Sequence, residues 1–202
     1  MRLAGVILAG GQATRMGGGD KCLRQLGNAP ILAHVIDRLA HVAPIALSAN
    51  GDAARFAQFN LPVIADEMAG FQGPLAGILE GMRWAGALGA SHVLSVAADT
   101  PFFPADLAEL LARGLADEAA DIAIACSHDV SGATHRQPTF GLWPVALSAD
   151  LQAFLNAGER KIILWARQHR LALPVVARDE AFFNINTAAD LSVAQTMLKG
   201  AT

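Results

Sequence analysis

LAGVILAGGQATRMGGGDK, residues 3–21, is the stretch whose reading decides the fold. Residues 3–8 are apolar and are followed at once by glycine, the length and bounding of a strand buried on both faces. Gly10 and Gly11 come directly after Leu8 and Ala9, and Gly17, Gly18 and Gly19 follow Met16. Glycine lets a ligand approach the main chain closely, and successive N–H groups in such a loop can cradle phosphate oxygens. Arg15 and Lys21 add fixed positive charge within the run, where a polyphosphate would lie. A flexible surface loop is the plainer alternative; two cations set among glycines directly behind a strand speak against it.

Neither of the commoner phosphate loops fits. A P-loop needs Gly-Lys-Ser/Thr, but Asp20 separates Gly19 from Lys21 and Cys22 follows. The dinucleotide fingerprint is absent because Gly10 and Gly11 are adjacent and no glycine stands three residues on. In Leu8, Ala9, Gly10, Gly11, Arg15, Met16, Gly17 and Lys21 the run instead resembles the nucleotidyltransferases that act on sugar phosphates and cofactor phosphates. GPLAGI at residues 73–78, Asp99-Thr100-Pro101, AGER at 157–160 and FFNINT at 182–187 carry the likeness along nearly the whole chain. Together they resemble the molybdenum cofactor guanylyltransferases.

Composition sets outer bounds. A chain of 202 residues suits one domain with a sizeable core. Charged residues make up 16%, below the usual quarter, which points to a well-buried α/β fold or an apolar contact surface. A net charge of −3 gives no electrostatic case for nucleic acid. No apolar stretch reaches the roughly 18 residues a membrane span needs, and no secretory cleavage pattern is present. Cys22 and Cys126 are too few for a disulfide framework or a zinc site and read as packing thiols in a reducing cytoplasm.

Along the chain, Asn28 is read as a helix cap with Pro30 in the first turn, before Ile31, Leu32, Val35, Ile36 and Leu39 at helical spacing. Strands are expected at residues 45–49, 62–65 and 92–96, a short helix at 53–58, a loop at 67–73, and a helical face on Leu75, Ile78, Leu79 and Met82. Further on, helices are expected at 105–115, 147–155 and 160–169, and strands at 121–126, 138–143, 173–176 and 182–185. A polar loop is expected at 127–137, and Thr187 is read as the cap of a last helix. Strands alternating with helices predict a doubly wound, mostly parallel sheet with helices on both faces. Ligands of such sheets bind beyond the carboxyl ends of strands. The polar candidates obey that rule: the glycine loop follows the first strand, Ser48 and Asn50 the second, Asp66 the third and Asp99 the fourth.

Asp99 follows the apolar run VLSVAA, where an unpaired carboxylate is costly. One carboxylate beside a triphosphate suits Mg²⁺; a helix N-cap is the alternative. Asp66 is either a capped turn or a nucleotide contact, and a carboxylate can accept the N1–H and amine of guanine. Asn184 and Asn186 fall on one face if extended, or belong to a turn and helix cap. His128, His135 and Arg136 lie in the expected polar loop without metal-ligand spacing; Arg136 is read as a phosphate contact or an ordinary exposed residue.

The resemblance implies a Rossmann-like nucleotidyltransferase fold, with the nucleotide-binding half at about residues 1–105 and the acceptor-binding half at about 106–202. It implies transfer of GMP from GTP to the terminal phosphate of molybdopterin, with Mg²⁺ on Asp99 and release of pyrophosphate. Leu8, Ala9, Gly10, Gly11, Arg15, Lys21, Ser48, Asn50, Asp66 and Asp99 would bind GTP, and Arg15, Lys21 and Asp99 would be catalytic. Ser48 stands where the family usually has an asparagine. Arg136, Asn184 and Asn186 would face the acceptor. A cytoplasmic enzyme is implied, with transient contacts to a molybdenum insertase and to target molybdoenzymes. A transferase using CTP or another phosphorylated acceptor, and a silent nucleotide-binding module, are the alternatives.

Overall fold

The computed structural model describes residues 1–10, 20–66, 73–129, 131–177 and 179–200. Gly11, Arg15, Met16 and residues 67–72 of the loop expected at 67–73 lie outside them. The strands are β1 (Leu3–Leu8), β2 (Gln25–Leu26), β3 (Ala29–Pro30), β4 (Ile45–Ser48), β5 (Val63–Ile64), β6 (His92–Ala97), β7 (Ile122–His128), β8 (Thr134–Pro144), β9 (Leu171–Ala172) and β10 (Val175–Val176). The helices are α1 (Ile31–Arg38), α2 (Pro74–Ala87), α3 (Leu107–Asp117), α4 (Ser148–Asn156), α5 (Ile162–Ala166) and α6 (Ala188–Gly200). Among the described residues the main sheet runs β10-β7-β8-β6-β1-β4-β5, with β9 also on β7. Only β8 runs antiparallel to its neighbours there.

Alternation along the strands divides the core between the two faces. Ile7, Leu94, Val96, Ala123 and Ala125 meet α1 and α3 through Leu32, Val35, Leu107 and Leu111. Ala4, Val6, Val93, Ile122 and Ile124 meet α2, α4 and α5 through Ile78, Met82, Leu151 and Trp165. Ser95 is a polar side chain fully buried within this sheet. It is satisfied on both sides: its hydroxyl donates to the Thr139 carbonyl at 2.7 Å and accepts the Trp143 indole N–H at 2.8 Å.

The strand order makes the site. From β1 the chain moves outward to β4 and β5, then returns through α2 to place β6 on the other flank of β1. The helices after β1 and β5 therefore cover opposite faces, and a crevice opens at the carboxyl end of β1. Glycines bring α2 close: a Cβ on Gly81 would lie 2.9–3.1 Å from Val6 side-chain atoms, and one on Gly77 2.5 Å from Ser48 Oγ.

Four local expectations are corrected. Asn28 does not cap a helix; it lies in the turn of the β2–β3 hairpin, where Gly27 has φ +64°, and Pro30 is the N-cap of α1. Residues 127–137 are not one loop. β7 runs on to His128 and β8 begins at Thr134, so His128, His135 and Arg136 stand on paired strands. The tight turn is held by Asp129, whose carboxylate accepts N–H bonds from Ser131 and Ala133 at 2.8 and 3.0 Å. Residues 182–185 form no strand; a 3₁₀ turn, Asp179–Phe182, leads into irregular chain whose Ile185 N–H bonds the Asp99 carbonyl. The strand expected at 173–176 is split, because Pro174 has no N–H to give the ladder.

Candidate active site

The cleft beyond β1 and β6 is lined by Leu8, Ala9, Gly10, Asp20, Lys21, Cys22, Ala98 and Asp99. Its floor is the sheet itself, since Ala9 N–H bonds the Ser48 carbonyl and Ala98 N–H the Leu8 carbonyl. Lys21 opens a single 3₁₀ turn, Lys21–Leu23. Cys22 turns down into the core at 4% exposure, which sends Lys21 up into the cleft. Burial pushes the Cys22 thiol up to about 12, with Asp20 and Asp99 adding to the rise. It is packing, not a nucleophile.

Lys21 bridges two distant segments. Its ammonium lies 2.7 Å from Asp99 Oδ2 and 2.6 Å from Asn186 Oδ1. Both members of the Lys21–Asp99 pair are 19% exposed, so solvent screens the pair only in part. Asn186 is delivered by the cap of α6. Asp190 accepts the N–H of Asn186 and of Thr187 at 2.9 and 2.8 Å, and its own N–H bonds Thr187 Oγ1, a reciprocal capping box. The Asn186 N–H, then the Thr187 hydroxyl, holds the Asp190 carboxyl below its ordinary value.

A second polar cluster stands at the ends of β4 and β5. Once the ladder finishes at the Ala49–Ile64 bond, side chains continue it. Asn50 Nδ2 donates to Asp66 Oδ2 at 2.9 Å, and Asp66 N–H donates to Asn50 Oδ1 at 2.9 Å. Ser48 does not join them: it is 5% exposed, beneath Gly77 of α2. Asn184 and Arg136 are exposed. Among the described residues neither is hydrogen-bonded to the Lys21–Asp99 pair. Arg136 sits on β8 opposite Cys126, whose thiol burial pushes up and Arg136 lowers in part.

Two participants escaped the sequence reading. Asp20 was seen only as the residue that breaks a P-loop, and Arg55 not at all. Their side chains pair, Arg55 Nε to Asp20 Oδ2 at 2.5 Å. The available signal was a lone cation just beyond a strand end, which single-sequence patterning does not distinguish from a solvated charge.

A divalent cation fits the donor set only with help. No group of three or more His, Cys, Asp or Glu that could hold a metal occurs among the described residues. Asp99 and Asn186 do aim oxygens at one ammonium. A cation there would need phosphate and water oxygens to complete its shell, as Mg²⁺ does with nucleotides.

The chain matches the MobA-like NTP transferase domain over residues 5–172. It is 46% identical over 200 residues to the molybdenum cofactor guanylyltransferase of Bradyrhizobium sp. (strain ORS 278), covering 96% of this chain and 92% of that protein. It is 49% identical over 197 residues to that of Rhodopseudomonas palustris (strain HaA2), covering 94% of this chain and 89% of that protein. The solved molybdopterin-guanine dinucleotide biosynthesis protein A of Archaeoglobus fulgidus shares the fold, with TM-score 0.77 over 98% of this chain and 99% of that one at 21% identity. Likeness over that much of the chain, on a sheet whose switch point carries a lysine–carboxylate pair, leads to one conclusion: the chain is a nucleotidyltransferase and belongs to the MobA-like NTP transferase family.

Proposed function

We propose that the protein transfers GMP from GTP to the terminal phosphate of molybdopterin, already carrying molybdenum, and releases pyrophosphate. The observation that carries this reading is the Lys21–Asp99 pair, 2.7 Å apart at the switch point, with Lys21 following a glycine-rich run of sequence. The identity of the substrates rests on the names of the relatives.

The bond changes are simple. An oxygen of the acceptor phosphate attacks the α-phosphorus of GTP in line, a P–O–P bridge forms, the α–β bridging bond breaks, and pyrophosphate leaves with its electron pair. Little proton chemistry is involved, so catalysis is positioning and charge neutralisation. Gly10 and Gly11 offer backbone to the phosphates, and Leu8 and Ala9 line the nucleotide beside them. Lys21 and Arg15 hold the β- and γ-phosphates and neutralise the charge that grows on the leaving group. Asp99 would hold a divalent cation, Mg²⁺ in this reading, which when bound polarises the α-phosphate. To do this Lys21 exchanges its carboxylate and amide partners for phosphate oxygens.

Asp66, held by Asn50, accepts the N1–H and amine of guanine; cytosine has only one amine to offer there. Asn184, Asn186 and Arg136 face the acceptor, in the half of the chain from about residue 106 onward. The reaction belongs in the cytoplasm, and because the acceptor is labile the enzyme receives it from a molybdenum insertase and passes the product to target molybdoenzymes through transient contacts. No described helix is long and apolar enough to cross a membrane.

The test is a transfer assay with Mg²⁺, a molybdopterin source, and GTP or CTP in separate reactions, reading the dinucleotide product. Product from GTP alone is expected. Product from CTP alone would overturn the base assignment and leave the phosphate chemistry standing.

A further inference from the structure

Arg55 lies outside the cleft lining yet joins one lining residue, Asp20, to the second polar cluster at Asn50. Its Nε pairs with Asp20 Oδ2 at 2.5 Å, beside Lys21. Its Nη2 donates to the Asn50 carbonyl at 2.6 Å and its Nη1 to the Asp52 carbonyl. The guanidinium carbon sits 4.5 Å from the ring centroid of Phe56, itself 1% exposed. All three guanidinium nitrogens are therefore engaged, and a buried ring backs the face of the group. Asp20 is thereby explained as well. It precedes the Lys21 turn but its side chain makes no cap bond there, because the carboxylate is spent on Arg55.

Each contact leads to a different part of the site. Through Asn50, Arg55 fixes the reciprocal Asn50–Asp66 pair. Through Asp20 it fixes the residue next to the ammonium that bridges Asp99 and Asn186. Gly51, at φ +84°, lets the chain double back between Asn50 and Asp52 so that one guanidinium reaches both carbonyls. A lysine has the charge but not the planar fork, and cannot bond Asp20 and two carbonyls together.

We infer that Arg55 is a positioning residue for base discrimination: it sets the Asn50–Asp66 pair at a fixed distance from the phosphate-binding Asp20–Lys21 segment. A site whose hydrogen-bonding groups are held rigidly rejects an analogue that lacks one partner; a loosened site does not. This rests on the reading of Asp66 as the guanine acceptor.

ITP is the probe, since it keeps N1–H and lacks the exocyclic amine. GTP and ITP affinities are measured by competition with a fluorescent guanine nucleotide, without acceptor, for the wild type, R55A, R55K and D66A. Melting temperatures serve as the folding control. The wild type is expected to prefer GTP by roughly tenfold or more, the worth of a hydrogen bond to a charged group. D66A and R55A should each bring the ratio within about threefold, and R55K should lie between. In turnover, R55A should raise KM for GTP by a larger factor than KM for ITP, a difference that a general structural loss would not produce. If D66A loses the preference and R55A keeps it, the role of Arg55 is wrong. If D66A itself keeps the preference, the base reading of Asp66 falls and this role falls with it. Should R55A not fold, R55K decides: an unchanged ratio in that variant overturns the proposal.

Discussion

Lys21 and Asp99 form a pair that is only 19% exposed on either side, so removing one leaves the other charge partly desolvated and unmatched. The pair also marks where phosphate and cation charge would meet. D99A and K21M are each expected to cut single-turnover GMP transfer by about 10²–10³-fold or more, the scale seen when one preorganised electrostatic group is removed. Circular dichroism should show the fold retained. Full turnover in D99A would remove Asp99 from the chemistry. The neighbouring thiol sets a contrast: with Cys22 pushed up to about 12, its thiolate fraction near pH 8 is of order 10⁻⁴. Alkylating reagents should therefore modify Cys22 only on unfolding, and rapid labelling of the native protein would contradict that placement.

At the scale of elements, α2 and α6 do different work. Gly77 and Gly81 of α2 are not equivalent. A Cβ at position 81 would press on all of Val6's branched side chain at 2.9–3.1 Å, which has no room to turn away in β1. At 77 it would meet Ser48 Oγ and Leu8 Cδ2, the ends of side chains that can rotate. Overpacking costs about 1–3 kcal/mol, against a helix-propensity gain near 1 kcal/mol. G81A should thus lower the melting temperature by about 2–4 °C while G77A stays close to wild type; a G81A protein as stable as the wild type would show that α2 does not bear on β1. For α6, the depressed Asp190 carboxyl has a pH signature. Its contribution is present above the ordinary carboxylate value of 3.8 and is lost as pH falls through the lower folded value. D190A should therefore melt a few degrees below wild type at neutral pH, with the gap closing in acid below the ordinary value. A gap that persists there would assign the cap to something other than this charge.

On the scale of the molecule, the cleft joins chain ends far apart in sequence. Leu26 and Ile31 near the N-terminus pack with Ile185 and Ala194, so α6 leaves the second half of the chain and docks on the β2–β3 hairpin and α1. A nucleotide held by Lys21 and Asp99, on segments far apart in the chain, should stabilise the whole cooperative unit. At nucleotide concentrations near 100 times Kd the gain is about 2.7 kcal/mol, a rise of roughly 5–10 °C for a chain of this size. Thermal melting with GTP and Mg²⁺ checks this, and D99A should show little of the rise. The local chemistry of the chain was enough to determine the α/β class, the span of β1, and the placing of Asp66 and Asp99 at strand ends. Those features arise from apolar periodicity and from glycine, which act over a few residues. Tertiary structure alone decided that Asn186 meets Lys21, that Ser48 is buried under α2 instead of standing with Asn50, that residues 127–137 pair as a hairpin, and that Arg55 binds Asp20. Each of those depends on which strand lies beside which, and strand order is settled by the closing of the whole sheet and its two layers of helices.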